Sequence, residues 1–335
     1  MLHIRTPYLI FLGDAPDQLA GKTGVGVAQW RPESCLGQLR LPGCRADAGL
    51  PDLTLEEAAE RGAKTLLIGT TTRGGRIDVA WQKLMVRAVE LGMDIASGLH
   101  DRVASLPAVA EAARLHGRAI HDVRHPREVF PVGTGVRRPG RRVLTVGTDC
   151  SIGKMFTALA LERAMTAAGM KATFRATGQT GILIAGSGVP LDAVVADFIS
   201  GAVETLCPAN DADHWDVVEG QASVLHPSYA GVTVGLVMGA QPDAMVLVHD
   251  PTRATMRGLG DRPVPGVAET MEAHLACARV TNPSSRIVGI SLNTQHMSEA
   301  AALREIAETE RRFGLPTVDP SRTGCGPLVA ALQAM

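Results

Sequence analysis

The chain has 335 residues, a formal net charge of −1 and a hydrophobic fraction of 45%, but only 3% of its residues are aromatic. The near-neutral charge, with no block of like charges, argues against a protein that binds nucleic acid or a membrane surface. The few aromatic rings also leave little for base stacking. A chain of this length is long enough for two domains with complete cores.

In the first part of the chain, short apolar runs alternate with longer amphipathic ones. The short runs predict strands at Tyr8–Leu12, Thr65–Ile68, Asp94–Ala96 and Ala119–His121. The longer runs predict helices at Leu55–Arg61, Val79–Leu91 and Leu106–His116. Thr54 and Glu57 have the spacing of a capping box for the first of these helices.

Two glycine segments in this part resemble anion-binding turns. Gly21-Lys22-Thr23 looks like the end of a phosphate loop, but no glycine loop precedes it. Gly24, Gly26 and Pro32 predict that no helix follows it, so we reject it as a phosphate site. The segment G-T-T-T-R-G-G-R, residues 69–76, follows a predicted strand and is a second candidate turn.

The strongest motif is R-V-L-T-V-G-T-D-C-S-I-G-K-M-F-T-A-L-A-L, residues 142–161. Val143–Val146 predicts a buried strand, Gly147–Gly153 a turn, and the run from Lys154 a helix. In this arrangement, backbone N–H groups, the helix N-terminus and the Lys cradle a phosphate. Cys150 lies at the helix N-terminus, where we expect a lowered thiol pKa, and a small loop filler is its favoured role.

The loop departs from the usual phosphate loop in two ways. Five residues rather than four separate Gly147 from Gly153, and Met155 stands where a Ser or Thr hydroxyl normally binds Mg²⁺. A thioether is a poor ligand for a hard cation. We therefore expect a loop that holds phosphate but binds no metal, although the hydroxyl of Thr157 lies nearby at the wrong offset.

Strand and helix patterns continue to alternate after the loop. Predicted strands lie at Lys171–Arg175, in H-W-D-V-V-E-G-Q (residues 214–221), and at Ala244–Val248, Arg286–Leu292 and Pro316–Val318. Predicted helices lie at Leu191–Leu206, Val267–Ala278 and Ser298–Phe313, and A-T-G-Q-T-G (residues 176–181) is a predicted polar loop. Alternation of this kind implies a parallel sheet with helices on both faces.

These elements predict an α/β protein of two domains. An N-terminal Rossmann-like α/β domain covers residues 1–125, and a Pro-, Gly- and Arg-rich linker covers residues 126–141. A C-terminal P-loop NTPase-like domain with a parallel sheet and helices on both faces covers residues 142–335. Polar groups that follow its strands gather at one edge of the sheet; they include Lys154, Arg175, Glu219, His249 and Asn293.

The five-residue gap in G-T-D-C-S-I-G-K, together with V-V-E-G at a strand end, resembles dethiobiotin synthetase and its cobyrinate-amidating relatives. In these folds an Asn after a late strand recognises adenine, and Asn293 in G-I-S-L-N-T has that place. The resemblance implies an adenine-containing ligand with phosphates, either ATP or coenzyme A.

A second resemblance covers nearly the whole chain and is carried by several motifs. They are G-D-A (13–15), W-R-P-E (30–33), G-Q-L-R-L-P-G-C (37–44), D-I-A-S-G-L-H (94–100), G-T-D-C-S-I-G-K (147–154), F-R-A-T-G-Q-T-G-I-L-I-A-G (174–186), A-D-F-I-S-G-A (196–202), H-W-D-V-V-E-G-Q (214–221) and V-G-I-S-L-N-T (288–294). Together they resemble the D-glutamate N-acetyltransferase family of the DgcN type, formerly a domain of unknown function. This implies acetyl-CoA as donor, D-glutamate as acceptor and a role in D-amino acid catabolism.

Transfer of an acetyl group to an amine needs a base, donors for the oxyanion, and cations for the carboxylates of the acceptor. We predict Glu219 as the base, with His249 as the competing choice, and Arg175 and Arg73 as carboxylate clamps assisted by Gln179. The donor-binding set comprises Gly147, Thr148, Asp149, Cys150, Ser151, Ile152, Gly153, Lys154, Met155 and Asn293. Two other functions stay open: an ATP- and Mg²⁺-dependent ligase or kinase, and a nucleotide sensor.

The sequence also bears on location and partners. No signal-peptide pattern is present at the N-terminus, and the six Cys are scattered without a C-x-x-C motif. We therefore expect a cytoplasmic enzyme with reduced thiols that acts on a small molecule. We expect it to form a homo-oligomer and to bind neither nucleic acid nor membrane.

Overall fold

The computed structural model describes residues 2–70, 77–126 and 128–335, which form two compact units. The first unit runs to Glu128 and also takes in Gly178–Ala193. The second unit comprises Val129–Thr177 and Val194–Met335. The segment Gly178–Ala193 thus lies within the sequence range predicted for the second domain but packs with the first unit.

The first unit is built on a parallel sheet of five strands in the order β2-β1-β3-β4-β5. The strands are β1 (Tyr8–Gly13), β2 (Cys35–Arg40), β3 (Thr65–Ile68), β4 (Asp94–Ser97) and β5 (Ile120–Asp122). The helices of this unit are α1 (Lys22–Trp30), α2 (Leu55–Glu60), α3 (Val79–Glu90), α4 (Pro107–His116) and α6 (Gln179–Ala185). The predicted capping box of α2 is confirmed, because Thr54 and Glu57 exchange both hydrogen bonds.

The second unit is built on a parallel sheet of six strands in the order β11-β10-β9-β6-β8-β7. The strands are β6 (Arg141–Gly147), β7 (Ala172–Arg175), β8 (Trp215–Val218), β9 (Ala244–His249), β10 (Arg286–Leu292) and β11 (Thr317–Val318). The helices are α5 (Lys154–Ala167), α7 (Ile199–Leu206), α8 (Ala230–Ala240), α9 (Val267–Ala278), α10 (Glu299–Phe313) and α11 (Gly326–Gln333). The predicted α/β class and parallel sheets are therefore confirmed.

Three sequence predictions were wrong, each because tertiary packing overrides local preference. A helix, α1, does follow Gly21, since Gly24 lets it approach the sheet: a Cβ there would meet Ile10 and the Cα of Gly69. The predicted polar loop at 176–181 contains the start of α6. The predicted helix Leu191–Leu206 is two single 3₁₀ turns followed by α7, because the chain passes from one unit to the other at Ala193.

The topology of the second unit places the phosphate loop at the switch point of the sheet. Strand β6 is central and fully buried beyond its first residue, and it pairs with β8 on one side and β9 on the other. Ligands of open α/β sheets bind where the strand order reverses, beyond the carboxyl ends of the strands. Among the described residues, no helix is both long enough and apolar enough to span a membrane.

Candidate functional site

The loop from Gly147 to Gly153 follows β6 and leads directly into α5, as predicted. Two of its residues have left-handed backbone, Ser151 with φ 52° and Gly153 with φ 110°, and Gly153 is the N-cap of α5. Gly147 approaches the neighbouring strand so closely that a Cβ would lie 3.0 Å from the carbonyl oxygen of Val248. The glycines at the two ends of the loop are therefore required by its backbone path.

Lys154 is buried at the first position of α5 and its side chain folds back over the loop. Its Nζ donates to the carbonyl oxygen of Asp149 at 2.5 Å. Burial lowers the pKa of Lys154 to about 8, even though Cys150, Asp149 and Glu219 oppose this shift. The ammonium is thus held over the loop, in the position from which a P-loop lysine contacts phosphate.

Asp149 connects the loop to the segment that follows β9. Its Oδ1 accepts from the backbone N–H of Cys150 at 2.7 Å, and its Oδ2 accepts from the N–H of Arg257 at 2.9 Å and from Arg253 at 3.0 Å. Burial alone would raise the pKa of this carboxyl. The hydrogen bonds from Arg257, Arg253 and Cys150 outweigh burial and hold the pKa below its ordinary value. Asp149 is therefore charged at neutral pH and positions the loop.

Arg253 extends this contact along the loop backbone. Its guanidinium donates to the carbonyl oxygens of Cys150 at 2.6 Å and Ser151 at 3.1 Å, in addition to Asp149. Loop carbonyls that would otherwise repel a phosphate are thereby neutralised by a cation. The sequence alone did not identify Arg253, because Arg253 lies about 100 residues from the loop in an irregular segment.

Asp149, Cys150 and His226 bring an oxygen, a sulfur and a nitrogen within 4.8 Å of one another, a grouping with metal-binding potential. His226 is fully buried, and its Nε2 lies 3.6 Å from Oδ1 of Asp149. However, Nδ1 of His226 accepts the backbone N–H of Ser228. A neutral ring with this contact carries its proton on Nε2, for which the described residues provide no hydrogen-bond partner. A protonated nitrogen cannot bind a metal, so this arrangement disfavours metal ligation.

Cys150 differs from the sequence expectation of a lowered thiol pKa. Burial raises the pKa of the half-buried thiol, and the nearby cations Lys154, Arg253 and Arg257 only partly oppose this. Desolvation of the thiolate therefore outweighs the effect of the helix N-terminus. A protonated loop residue fits these surroundings better than a nucleophile does.

Glu219 follows β8 and lies beside the loop, but its carboxylate is buried in a hydrogen-bond network. Oε2 of Glu219 accepts the backbone N–H of Thr177 at 2.8 Å, and Thr177 donates its hydroxyl to the Glu219 carbonyl at 2.8 Å. Gln221 donates to the same hydroxyl. The next residue, Gly220, packs so tightly that a Cβ would lie 1.7 Å from the carbonyl oxygen of Thr145. Glu219 thus joins the ends of β7 and β8 next to Lys154.

His249 ends β9 on the other side of β6 and is only partly buried. Its Nδ1 lies 3.0 Å from the hydroxyl oxygen of Thr148, the second residue of the loop. Burial lowers the pKa of His249, with the neighbouring Asp250 opposing the shift. The ring is therefore neutral at pH 7, and Nδ1 is held by Thr148. When Nδ1–H donates to that hydroxyl, Nε2 is left as a proton acceptor.

The hydroxyl of Thr157, two residues after Met155, is already engaged. Thr157 is buried, and its Oγ1 lies 2.8 Å from Oγ of Ser291 on β10, whereas Met155 is half-buried beside the loop. Asn293 follows β10 and lies against Gly153, with 3.9 Å between the Asn293 Cβ and an ideal Cβ at Gly153. Its Oδ1 accepts the N–H of Gln295. Asn293 is thus next to the loop, and its contact with adenine stays a prediction.

The predicted carboxylate clamps are placed differently. Nε of Arg175 donates to the buried Asp216 at 2.7 Å, and Asp216 pairs in register with Thr173, two residues nearer the start of β7. The guanidinium thus turns toward the start of β7 and forms an ion pair with Asp216. This contact favours a role in stabilising the sheet over binding of a substrate carboxylate. Arg73 lies outside the described residues. Gln179 begins α6 and belongs to the first unit, where its Cβ lies 3.5 Å from an ideal Cβ at Gly98.

Comparison with known proteins identifies both parts of the chain. A family model described as a domain of unknown function (DUF1611_C) P-loop domain matches residues 131–329. A second, described as a domain of unknown function (DUF1611_N) Rossmann-like domain, matches residues 39–126. A crystal structure of a DUF1611 family protein from Anabaena variabilis is similar over 99% of this chain and 100% of that chain, with 32% identity and a TM-score of 0.84.

Two curated relatives are similar over the full length. A D-glutamate N-acetyltransferase from Tritonibacter scottomollicae is 55% identical over 99% of this chain and 100% of its own. A D-glutamate N-acetyltransferase from Pseudoalteromonas sp. is 45% identical over 99% of this chain and 100% of its own.

Proposed function

The chain belongs to the DUF1611 family, and from that premise we propose that it transfers an acetyl group from acetyl-CoA to the amino group of D-glutamate. The observation that carries this function is the full-length identity of 55% and 45% to two proteins named D-glutamate N-acetyltransferase. The product is N-acetyl-D-glutamate, and the chain is an N-acetyltransferase.

The geometry of the phosphate loop supports coenzyme A as the carrier of the acetyl group. Lys154, the loop amides and the start of α5 lie together in the arrangement that suits phosphate binding. Met155 provides no hydroxyl for Mg²⁺, and the hydroxyl of Thr157 is engaged with Ser291. Coenzyme A needs its phosphates bound but not cleaved, so its use requires no Mg²⁺ ligand in the loop. An ATP-dependent ligase or kinase does require one, and the loop therefore favours the acetyltransferase.

The reaction needs a group that removes a proton from the ammonium of the acceptor, because an ammonium cannot attack a thioester. We assign this role to His249, since its ring is partly exposed, neutral and fixed through Thr148. The free amine then attacks the thioester carbonyl and the C–N bond forms. The C–S bond breaks, and the nitrogen loses a second proton, which the coenzyme A thiolate takes up. Glu219 stays the competing candidate, but its carboxylate is occupied by Thr177.

An assay of the purified protein tests this function directly. We expect acetyl-CoA and D-glutamate to give N-acetyl-D-glutamate, detected by mass spectrometry, together with one free thiol per product. L-glutamate is the matched control acceptor, and ATP with Mg²⁺ is the matched control for the donor site. Product formation that requires ATP would support the ligase class instead.

A further inference from the structure

The connection between β9 and α9 folds into a small hairpin, Ala254–Val264, beside the phosphate loop. Its two arms are joined by hydrogen bonds from Met256 N to Arg262 O at 2.8 Å and from Val264 N to Ala254 O at 3.1 Å. The side chain of Met256 is buried and anchors the hairpin. The hairpin therefore has a defined position relative to the loop.

Arg257 lies in this hairpin with its backbone fixed and its side chain free. Its N–H donates to Oδ2 of Asp149 at 2.9 Å, so the residue is attached directly to the loop. Its side chain is exposed, and among the described residues no carboxylate forms an ion pair with the guanidinium. Asp261, in the same hairpin, is also exposed and does not pair with it.

The other cations at the loop are placed differently. Arg253 is paired with Asp149 and with two loop carbonyls, and Lys154 is buried over the loop. The guanidinium of Arg257 is nevertheless close enough to the loop to act on it electrostatically, since its charge lowers the pKa of the Cys150 thiol. Arg257 is thus an uncompensated cation at the rim of a phosphate site, where a second anionic group is expected.

We propose that Arg257 binds the 3′-phosphate of the coenzyme A donor while the loop and Lys154 hold its diphosphate. This inference rests on the proposed function. Coenzyme A carries two separate anionic groups, and a phosphate monoester has a charge of about −1.5 to −2 at pH 7. The single charge of Lys154 does not neutralise both groups. A guanidinium donates through a planar fork that matches phosphate oxygens, which suits Arg257 for the monoester.

Two donors that differ only in this group provide the test: acetyl-CoA and acetyl-3′-dephospho-CoA. In Arg257→Gln we expect kcat/KM for acetyl-CoA to fall about 10- to 100-fold, mainly through KM, which is the scale of one charge-assisted contact. We expect kcat/KM for the dephospho donor to change less than about threefold. Arg262→Gln is the matched control, since Arg262 is exposed on the other arm, and it should behave as the wild type.

Two results would overturn the inference. Equal losses with both donors would mean that Arg257 contacts the diphosphate or merely supports the loop. A raised KM for D-glutamate with unchanged donor preference would mean that Arg257 binds the acceptor. Absence of acetyl transfer by the wild type would instead contradict the proposed function. Calorimetry with coenzyme A and 3′-dephospho-CoA would then still test the contact, because it needs no turnover.

Discussion

At the scale of single residues, the site is organised by charged groups whose partners come from distant parts of the chain. Asp149 is fixed by Arg253 and by the N–H of Arg257, and Lys154 is buried over the same loop. On opposite sides of β6, His249 is held by Thr148 and Glu219 by Thr177. The proposed donor site and the two candidate bases are therefore separate sets of contacts that substitutions can distinguish.

Lys154→Ala should weaken the binding of acetyl-CoA by roughly 1.5–3 kcal/mol, or about 10- to 150-fold in Kd, because it removes a charge-assisted contact to phosphate. Calorimetric titration measures this directly, and the melting temperature of the variant provides the control for folding. Unchanged affinity in a folded variant would remove Lys154 from donor binding.

The affinity for acetyl-CoA should also depend on pH through Lys154. Its pKa of about 8 in the free protein means that the ammonium is formed at lower pH. Above pH 8, binding must also take up a proton, so Kd should rise by up to about tenfold per pH unit. Lys154→Arg keeps its charge over this range and should remove the rise. A wild-type Kd that stays constant above pH 8 would contradict the assignment.

The two candidate bases are separated by a pair of substitutions. His249→Gln should lower kcat by about 10²- to 10⁴-fold, the contribution of a positioned base, with little change in acetyl-CoA affinity. Glu219→Gln keeps an oxygen that accepts the N–H of Thr177 and should lower kcat less than about tenfold. The opposite ranking, in variants of equal melting temperature, would return the role to Glu219.

Arg175→Lys distinguishes an ion pair from a carboxylate clamp. Because Nε of Arg175 is bonded to the buried Asp216, we expect the variant to lose about 1–3 kcal/mol of stability while KM for D-glutamate stays within about twofold. Urea unfolding and steady-state kinetics give the two values. A sharply raised KM at unchanged stability would show that the predicted clamp is correct.

At the scale of secondary-structure elements, the site is formed where strand ends approach one another too closely for side chains. Gly220 has no room for a Cβ against Thr145, whereas Gly231 in α8 faces open space. Gly220→Ala should therefore destabilise the protein by about 1–3 kcal/mol or more. Gly231→Ala should be neutral or stabilising by up to about 1 kcal/mol. Equal unfolding free energies for the two variants would contradict this packing.

The sequence predicted those elements that have strong periodicity and clear boundaries. Strand β10 and helix α9 have the predicted bounds, and the loop between β6 and α5 was identified from its glycines and Lys154. Helices α8 and α11 were not predicted. Helix α8 has three glycines and no polar face, and it forms because Gly235 and Gly239 let it pack closely on α7. Local sequence patterns do not predict close packing of this kind between two helices.

The position of the candidate site residues was predictable in part. Lys154, Glu219 and His249 lie beside the loop, as predicted, because parallel strands end at one edge of the sheet, whereas their roles stay predictions. Arg253, Arg257 and His226 were not predicted, because they lie in irregular segments whose path follows only from tertiary contacts. The orientation of the Arg175 side chain is likewise set by its hydrogen bond to Asp216 on the neighbouring strand. The pattern of apolar residues along a strand does not predict such a contact.

At the scale of the whole molecule, binding of the donor should stabilise the native state. The net charge of −1 provides no general attraction for an anionic donor, so local cations must provide the affinity. At a concentration of about 100 times Kd, a ligand adds about 2.7 kcal/mol to the free energy of unfolding. Acetyl-CoA should therefore raise the melting temperature, and ATP with Mg²⁺ should not. A larger rise with ATP and Mg²⁺ would favour the ligase class.

Acetyl transfer to D-glutamate is tested most directly by the product that the purified protein forms from acetyl-CoA and an equal mixture of D- and L-glutamate. Chiral chromatography with mass spectrometry identifies that product. We predict N-acetyl-D-glutamate, formed without ATP or Mg²⁺, together with an equal amount of free coenzyme A. Hydrolysis of acetyl-CoA without acetylated glutamate, or a product that appears only when ATP is present, would contradict this prediction.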